Sequence, residues 1–195
     1  MTRRGVGVAL ATACVLSGVA FATAGWASRP PDGGVTAVAV LHEHVDYEAR
    51  LLSRFAGRLS PPDARAADQA FELTSALDAR LAQRLRQQGY SAARAQAVWQ
   101  RVVGNGAPPP SRVLLYVCSI HAAETDTAAL TAAPPDALGH ELGSVELTLL
   151  LEGRQLAAQV ADRSLGAAAA QSQRDALHAL APLLIPTDRA FAASA

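Results

Sequence analysis

The sequence predicts an α+β domain, with helices packed on one face of a small, mainly antiparallel sheet. Three observations point there. Residues 35–41 and 112–120 are dense in β-branched and apolar side chains, as strands buried on both faces are. Residues 144–151 and 155–161 flank Glu152-Gly153-Arg154 in the manner of a hairpin. Leucines recurring every four residues, at Leu73, Leu77, Leu81 and Leu85, require a helix.

Prolines punctuate the chain at Pro30-Pro31, Pro61-Pro62, Pro108-Pro109-Pro110 and Pro134-Pro135. Each is read as a stop, because proline donates no backbone hydrogen bond and restricts the residue before it. The first block opens with the strand at 35–41. It continues as a helix near 47–59, carried by Tyr47, Leu51, Leu52, Phe55 and Leu59. A competing reading makes 35–59 one long helix, since Val38, Leu41, Val45, Leu52, Phe55 and Leu59 fit a heptad seam broken only by Glu48. The valine density favours strand then helix.

The second block holds a helix near 64–88, capped by Asp63 and ended by Gly89. Its last turns carry Arg80, Arg84 and Arg86, cations at the end the helix dipole favours. A shorter helix near 91–103 follows, with Ala95, Val98, Trp99 and Val102 on one face. The strand at 112–120 comes next, then a polar loop, then the hairpin. Its first strand puts Val145, Leu147, Leu149 and Leu151 on one face. A helix near 167–184 closes the fold with Ala170, Leu177, Leu180 and Leu184 inward, ended by Pro186. This divides the chain into a leader at 1–27, a linker at 28–34, one globular domain at 35–186 and a tail at 187–195.

The leader reading rests on Arg3 and Arg4, followed by an uncharged run from Gly5 to Ala27 that is mostly small residues. That is the plan of a cleaved secretory signal. An uncleaved anchor is the competing reading, since about twenty apolar residues can span a bilayer. Either way the expected location is periplasmic or extracellular, with membrane contact only through residues 5–27 if they are retained.

Composition narrows the partners. All 17 basic residues are arginine, balanced by 17 acidic ones, and no basic cluster marks one segment. Nucleic acid is therefore a poor partner, and another envelope protein is the expected one. Loss of the leader would leave Cys118 as a lone thiol, which cannot staple its own chain. Its alternation with Leu114 and Tyr116 reads as a buried small hydrophobe rather than a nucleophile paired with His121.

One constellation could carry chemistry. On a strand, His42, His44 and Asp46 share a face, and two imidazoles with a carboxylate can hold zinc or copper. On the long-helix reading, His42 aligns with Asp46 and His44 with Glu48 instead. His140, Glu141, Glu124, Asp126 and Asp136 could complete a site, and His178 reads as a boundary histidine. Nucleotide-loop and serine-hydrolase signatures are absent. The expected role is thus a non-catalytic accessory or protein-interaction domain without a cofactor, with periplasmic metal binding through His42, His44 and Asp46 as the alternative.

Overall fold

The computed structural model describes residues 35–91 and 127–194, and among these there is no β-strand. Five helices account for most of them: α1 (Val35–Ala56), α2 (Pro61–Gln87), α3 (Pro135–Ala157), α4 (Arg163–Ala179) and α5 (Pro186–Ser194). A helical turn at 127–132 precedes α3. The α+β expectation is overturned. Residues 35–41 and the helix near 47–59 are one continuous helix, α1, as the heptad seam required. The proposed hairpin at 144–151 and 155–161 is mostly the body of α3. The strand at 112–120, the helix near 91–103, Cys118 and His121 lie outside the described residues.

The physical reason is burial on more than one face. In α3, Leu138, Leu142, Leu149, Leu150, Leu156 and Ala157 are buried, and Val145 and Leu151 are partly covered. A helix with so broad an apolar face packs against two ring neighbours at once. Apolar residues at every second position of 145–151, Val145 then Leu147, Leu149 and Leu151, gave the strand pattern as a by-product. In α1 the valines at 35, 38, 40 and 45 are all buried, so packing overrides their modest helix propensity.

Several prolines start helices. Pro61, Pro135 and Pro186 are the first residues of α2, α3 and α5, where a missing N–H costs nothing. The α2 cap is Ser60, whose hydroxyl accepts from the Asp63 N–H and donates to the Asp63 carboxylate at 2.7 Å. Gly89, at φ +78°, ends α2 in the left-handed conformation, and the Tyr90 N–H closes back on the Leu85 carbonyl at 2.9 Å.

Each of α1 and α4 packs on both α2 and α3, so the four helices form a ring in the order α1, α2, α4, α3. Directions follow from cross-contacts. Arg84, late in α2, pairs with Asp162 at the start of α4, and the Ser172 hydroxyl donates to the Leu73 carbonyl. Arg58, just past α1, donates to the Leu130 and Ala133 carbonyls beside the start of α3. Every neighbouring pair in the ring is therefore antiparallel, and α2 and α3 run in the same direction. The membrane-anchored envelope location also needs correction: among the described residues no helix is long and apolar enough to cross a membrane. The segment at 5–27 lies outside the described residues.

Candidate functional site

The bundle core is two apolar halves. One gathers Leu52, Phe55, Ala67, Leu142, Leu150, Leu180 and neighbours; the other gathers Leu41, Val45, Leu77, Leu81, Leu156, Ala169 and neighbours. The buried polar side chains, His44 and Glu48 of α1, Thr74 of α2, Glu146 of α3 and Gln173 of α4, lie where one half gives way to the other. Each occupies a core register position of its helix: Glu48 between Val45 and Leu52, Thr74 between Ala70 and Leu77, Glu146 between Leu142 and Leu149, Gln173 between Ala169 and Ala176. The result is a polar layer across the waist of the bundle, with two contributors from α1 and one from each of the other three helices of the ring.

Its bonding is unequal. The His44 Nε2 donates to the Leu149 carbonyl at 2.8 Å and lies 3.0 Å from Glu48 Oε1, an ion-pair contact when the ring is protonated. The Gln173 side-chain amide donates to Glu48 Oε2 at 3.0 Å. Glu48 is thus held by one hydrogen bond, on Oε2, and by the His44 ring beside Oε1, which itself accepts no hydrogen bond. Thr74 satisfies itself by donating to the Ala70 carbonyl at 2.9 Å. Neither carboxyl oxygen of Glu146 has a hydrogen-bond partner, although its side chain is 0% exposed. An unpaired buried carboxyl is costly in its charged form. Burial, reinforced by the charge of Glu48, accordingly holds the Glu146 carboxyl well above the ordinary glutamate value. Burial pulls the His44 imidazole down, but the charge and hydrogen bond of Glu48, the charge of Glu152 and the Leu149 carbonyl outweigh it, leaving its pKa raised.

Gly153 is part of the same arrangement. A methyl group there would lie 2.8 Å from Gln173 Cδ and 2.9 Å from its Oε1, so the missing side chain is what lets Gln173 close on α3. Read as a turn residue in the sequence, Gly153 works in mid-helix.

The helix separates the three residues that a strand would have aligned. His42 Nε2 is 3.3 Å from Asp78 of α2, His44 faces the core, and Asp46 pairs with Arg50 at 2.8 Å. The adjacent carboxylate of Glu43 raises the His42 pKa most; Asp78 and Asp46 add to this against the lowering by burial. At 3.8 Å Glu43 is too distant for a good hydrogen bond, so its pull is one of charge. Burial also raises the Asp78 carboxyl, and the attraction of His42 only partly offsets it. His140 faces away from this region: its Nδ1 is 2.7 Å from the Leu183 carbonyl. Glu141, Asp136 and His178 are exposed, and Glu124 and Asp126 lie outside the described residues. Among the described residues no group of three histidine, cysteine, aspartate or glutamate side chains is placed to hold a metal.

Outside the core, an open cleft of about 260 Å³ lies between the end of α2 and the start of α4, lined by Arg80, Gln83, Arg84, Gln87, Asp162 and Ser164. Arg84 and Asp162 bridge it at 3.1 Å. Asp162 also caps α4 by accepting from the Ser164 and Leu165 N–H groups, and these bonds, that from the Ser164 hydroxyl first, hold its carboxyl below the usual aspartate value.

Sequence reasoning paired His44 with Glu48 only on the long-helix reading, and it did not single out Glu146, Gln173 or Thr74. A signal existed: each is a polar residue at a position where helical spacing demands an apolar one. Glu48 was visible as the break in the heptad seam. No protein-family model, no curated protein and no solved structure matches this chain.

Proposed function

We propose that this chain is a non-catalytic accessory domain that binds another protein through the outer face of α2. The reading is supported by where the polar chemistry lies. His44, Glu48, Glu146 and Gln173 are closed to solvent and serve the interior of the bundle. The outward stripe of α2 is their opposite. Arg65, Asp68, Glu72 and Arg86 are exposed along it and make no ion pair among the described residues, with Ala76 and Ala79 between them. Phe71, 36% exposed, stands beside the stripe. Arginine and aromatic side chains are enriched at protein interfaces, and here two unpaired arginines and an exposed ring border a low, alanine-lined stretch. That stripe is the observation on which the proposal rests.

A photo-crosslinking residue at Gln83 tests it, with the same group at Arg174 on α4 as control. The proposal expects one protein species captured from position 83 and not from 174, and its loss in the double variant Arg65→Glu/Arg86→Glu with an unchanged helical circular dichroism spectrum. Equal capture from both positions, or capture indifferent to the charge reversal, removes it.

A further inference from the structure

The polar layer holds one more carboxylate than its partners can serve. From α1 it receives His44 and Glu48; from α3 Glu146, with Glu152 acting on His44 from farther along; from α2 and α4 only the uncharged Thr74 and Gln173. With both glutamates ionised and His44 doubly protonated, the three buried groups carry a net negative charge in an apolar core. One further proton makes them neutral. Hydrogen bonding decides where that proton goes. Glu48 accepts from Gln173 on one oxygen and has the His44 ring 3.0 Å from the other, whereas both oxygens of Glu146 lack a donor and a cation alike. The unserved carboxyl takes the proton, because an unpaired buried charge is the costlier of the two.

We propose that this layer is a proton-operated clasp: Glu146 carries a proton in the packed bundle, and its release places a second, uncompensated carboxylate beside Glu48 and loosens the waist where α1, α3 and α4 meet. The balance is simple. The acid form gives one proton to solvent, no bond between residues is made or broken covalently, and the anion left behind is relieved only by helix separation or by water entering the core. Because the layer spans the ring, the opening affects both apolar halves, and proton concentration sets how tightly the bundle is closed. The inference stands apart from the partner reading, since its test involves no partner.

The sign follows from linkage. A carboxyl raised above its unfolded value of 4.5 gives stability that is complete below that value and is lost as pH rises through the folded value. His44, also raised, adds to the loss on the alkaline side of its ordinary 6.5. His42 and Asp78 contribute with the same sign, so the wild-type slope alone does not isolate Glu146. The deciding experiment is urea unfolding of the full chain across pH 5–9, wild type against Glu146→Gln, which keeps the shape and removes the titration. Within the window one linked proton changes the unfolding constant by about tenfold per pH unit. The proposal expects wild type to weaken as pH rises, and the variant to lose up to that much of the slope. A second measurement uses native wild-type protein: followed across pH, the carbon-13 carboxyl signal of Glu146 should ionise well above the ordinary 4.5. An unaltered slope in Glu146→Gln, or a Glu146 signal that ionises at or below 4.5, overturns the proposal. If the variant does not fold, the carboxyl signal decides alone.

Discussion

Replacing Gly153 by alanine tests whether the polar layer is as closely fitted as its geometry implies. An exposed helical glycine gains about 1 kcal/mol of stability on becoming alanine, through backbone entropy and helix propensity. Here the added methyl would stand 2.8 Å from Gln173 Cδ and 3.0 Å from its Nε2. That side chain is 1% exposed and cannot swing into solvent without opening the core. Its displacement breaks the 3.0 Å bond to Glu48. A hydrogen bond to a charged group is worth about 1.5–3 kcal/mol, and overpacking costs about 1–3 kcal/mol more. Set against the propensity gain, the net loss is about 1.5–5 kcal/mol. Urea denaturation followed by circular dichroism, with wild type and variant at the same pH, measures it. The double variant Gly153→Ala/Gln173→Ala should lose less than the two single losses added together, because the methyl then has room. A Gly153→Ala protein more stable than wild type by about 1 kcal/mol would show that only propensity is at work and that the close fit is not real.

Other glycines give a matched contrast. A methyl at Gly166 would lie 2.6 Å from the Ala157 carbonyl, a backbone atom that cannot rotate away, so Gly166→Ala should lower Tm. Gly57 has nothing within 4 Å, and Gly57→Ala should be neutral or stabilising by about 0.4–1 kcal/mol, read from the same thermal melts. Asp78→Asn removes one of the charges that raise the His42 pKa, so an NMR titration should find His42 titrating at lower pH than in wild type. Zinc and copper provide a test of the metal reading. With His42, His44 and Asp46 turned to Asp78, Glu48 and Arg50, saturating metal should leave Tm unchanged; a rise abolished by His42→Ala would contradict that placement.

The helix α2 was legible from the sequence because its leucines keep a helical spacing over a run too long for an ordinary strand, and Leu77, Leu81 and Leu85 are indeed core residues. Its end at Gly89 was legible for a local reason too, since a positive φ is tolerated there by glycine. The errors cluster where a segment is buried on several sides. At 35–41 the side chains are apolar at nearly every position, and at 144–151 Val145, Leu147, Leu149 and Leu151 alternate with Ser144, Glu146 and Thr148; over runs this short periodicity cannot distinguish a buried strand from a buried helix. Length could have done so: a valine run continuing in register through Phe55 is too long for an ordinary strand.

The candidate site was half visible. Glu48 showed itself as a charged residue in an apolar seam, and helical spacing paired it with His44. That Glu146 and Gln173 complete the layer depends on the order of helices around the ring, which places residues about 100 and 125 positions away beside Glu48. Local spacing along one chain carries the 3.6-residue period, the caps and the prolines that open helices, because those arise from contacts a few residues apart. It carries nothing about which helix faces which. Four apolar faces can be assembled in several ways, and only their packing decided that a histidine, two glutamates and a glutamine meet in one buried layer, where the low polarity of the surroundings makes each charge depend on its neighbours.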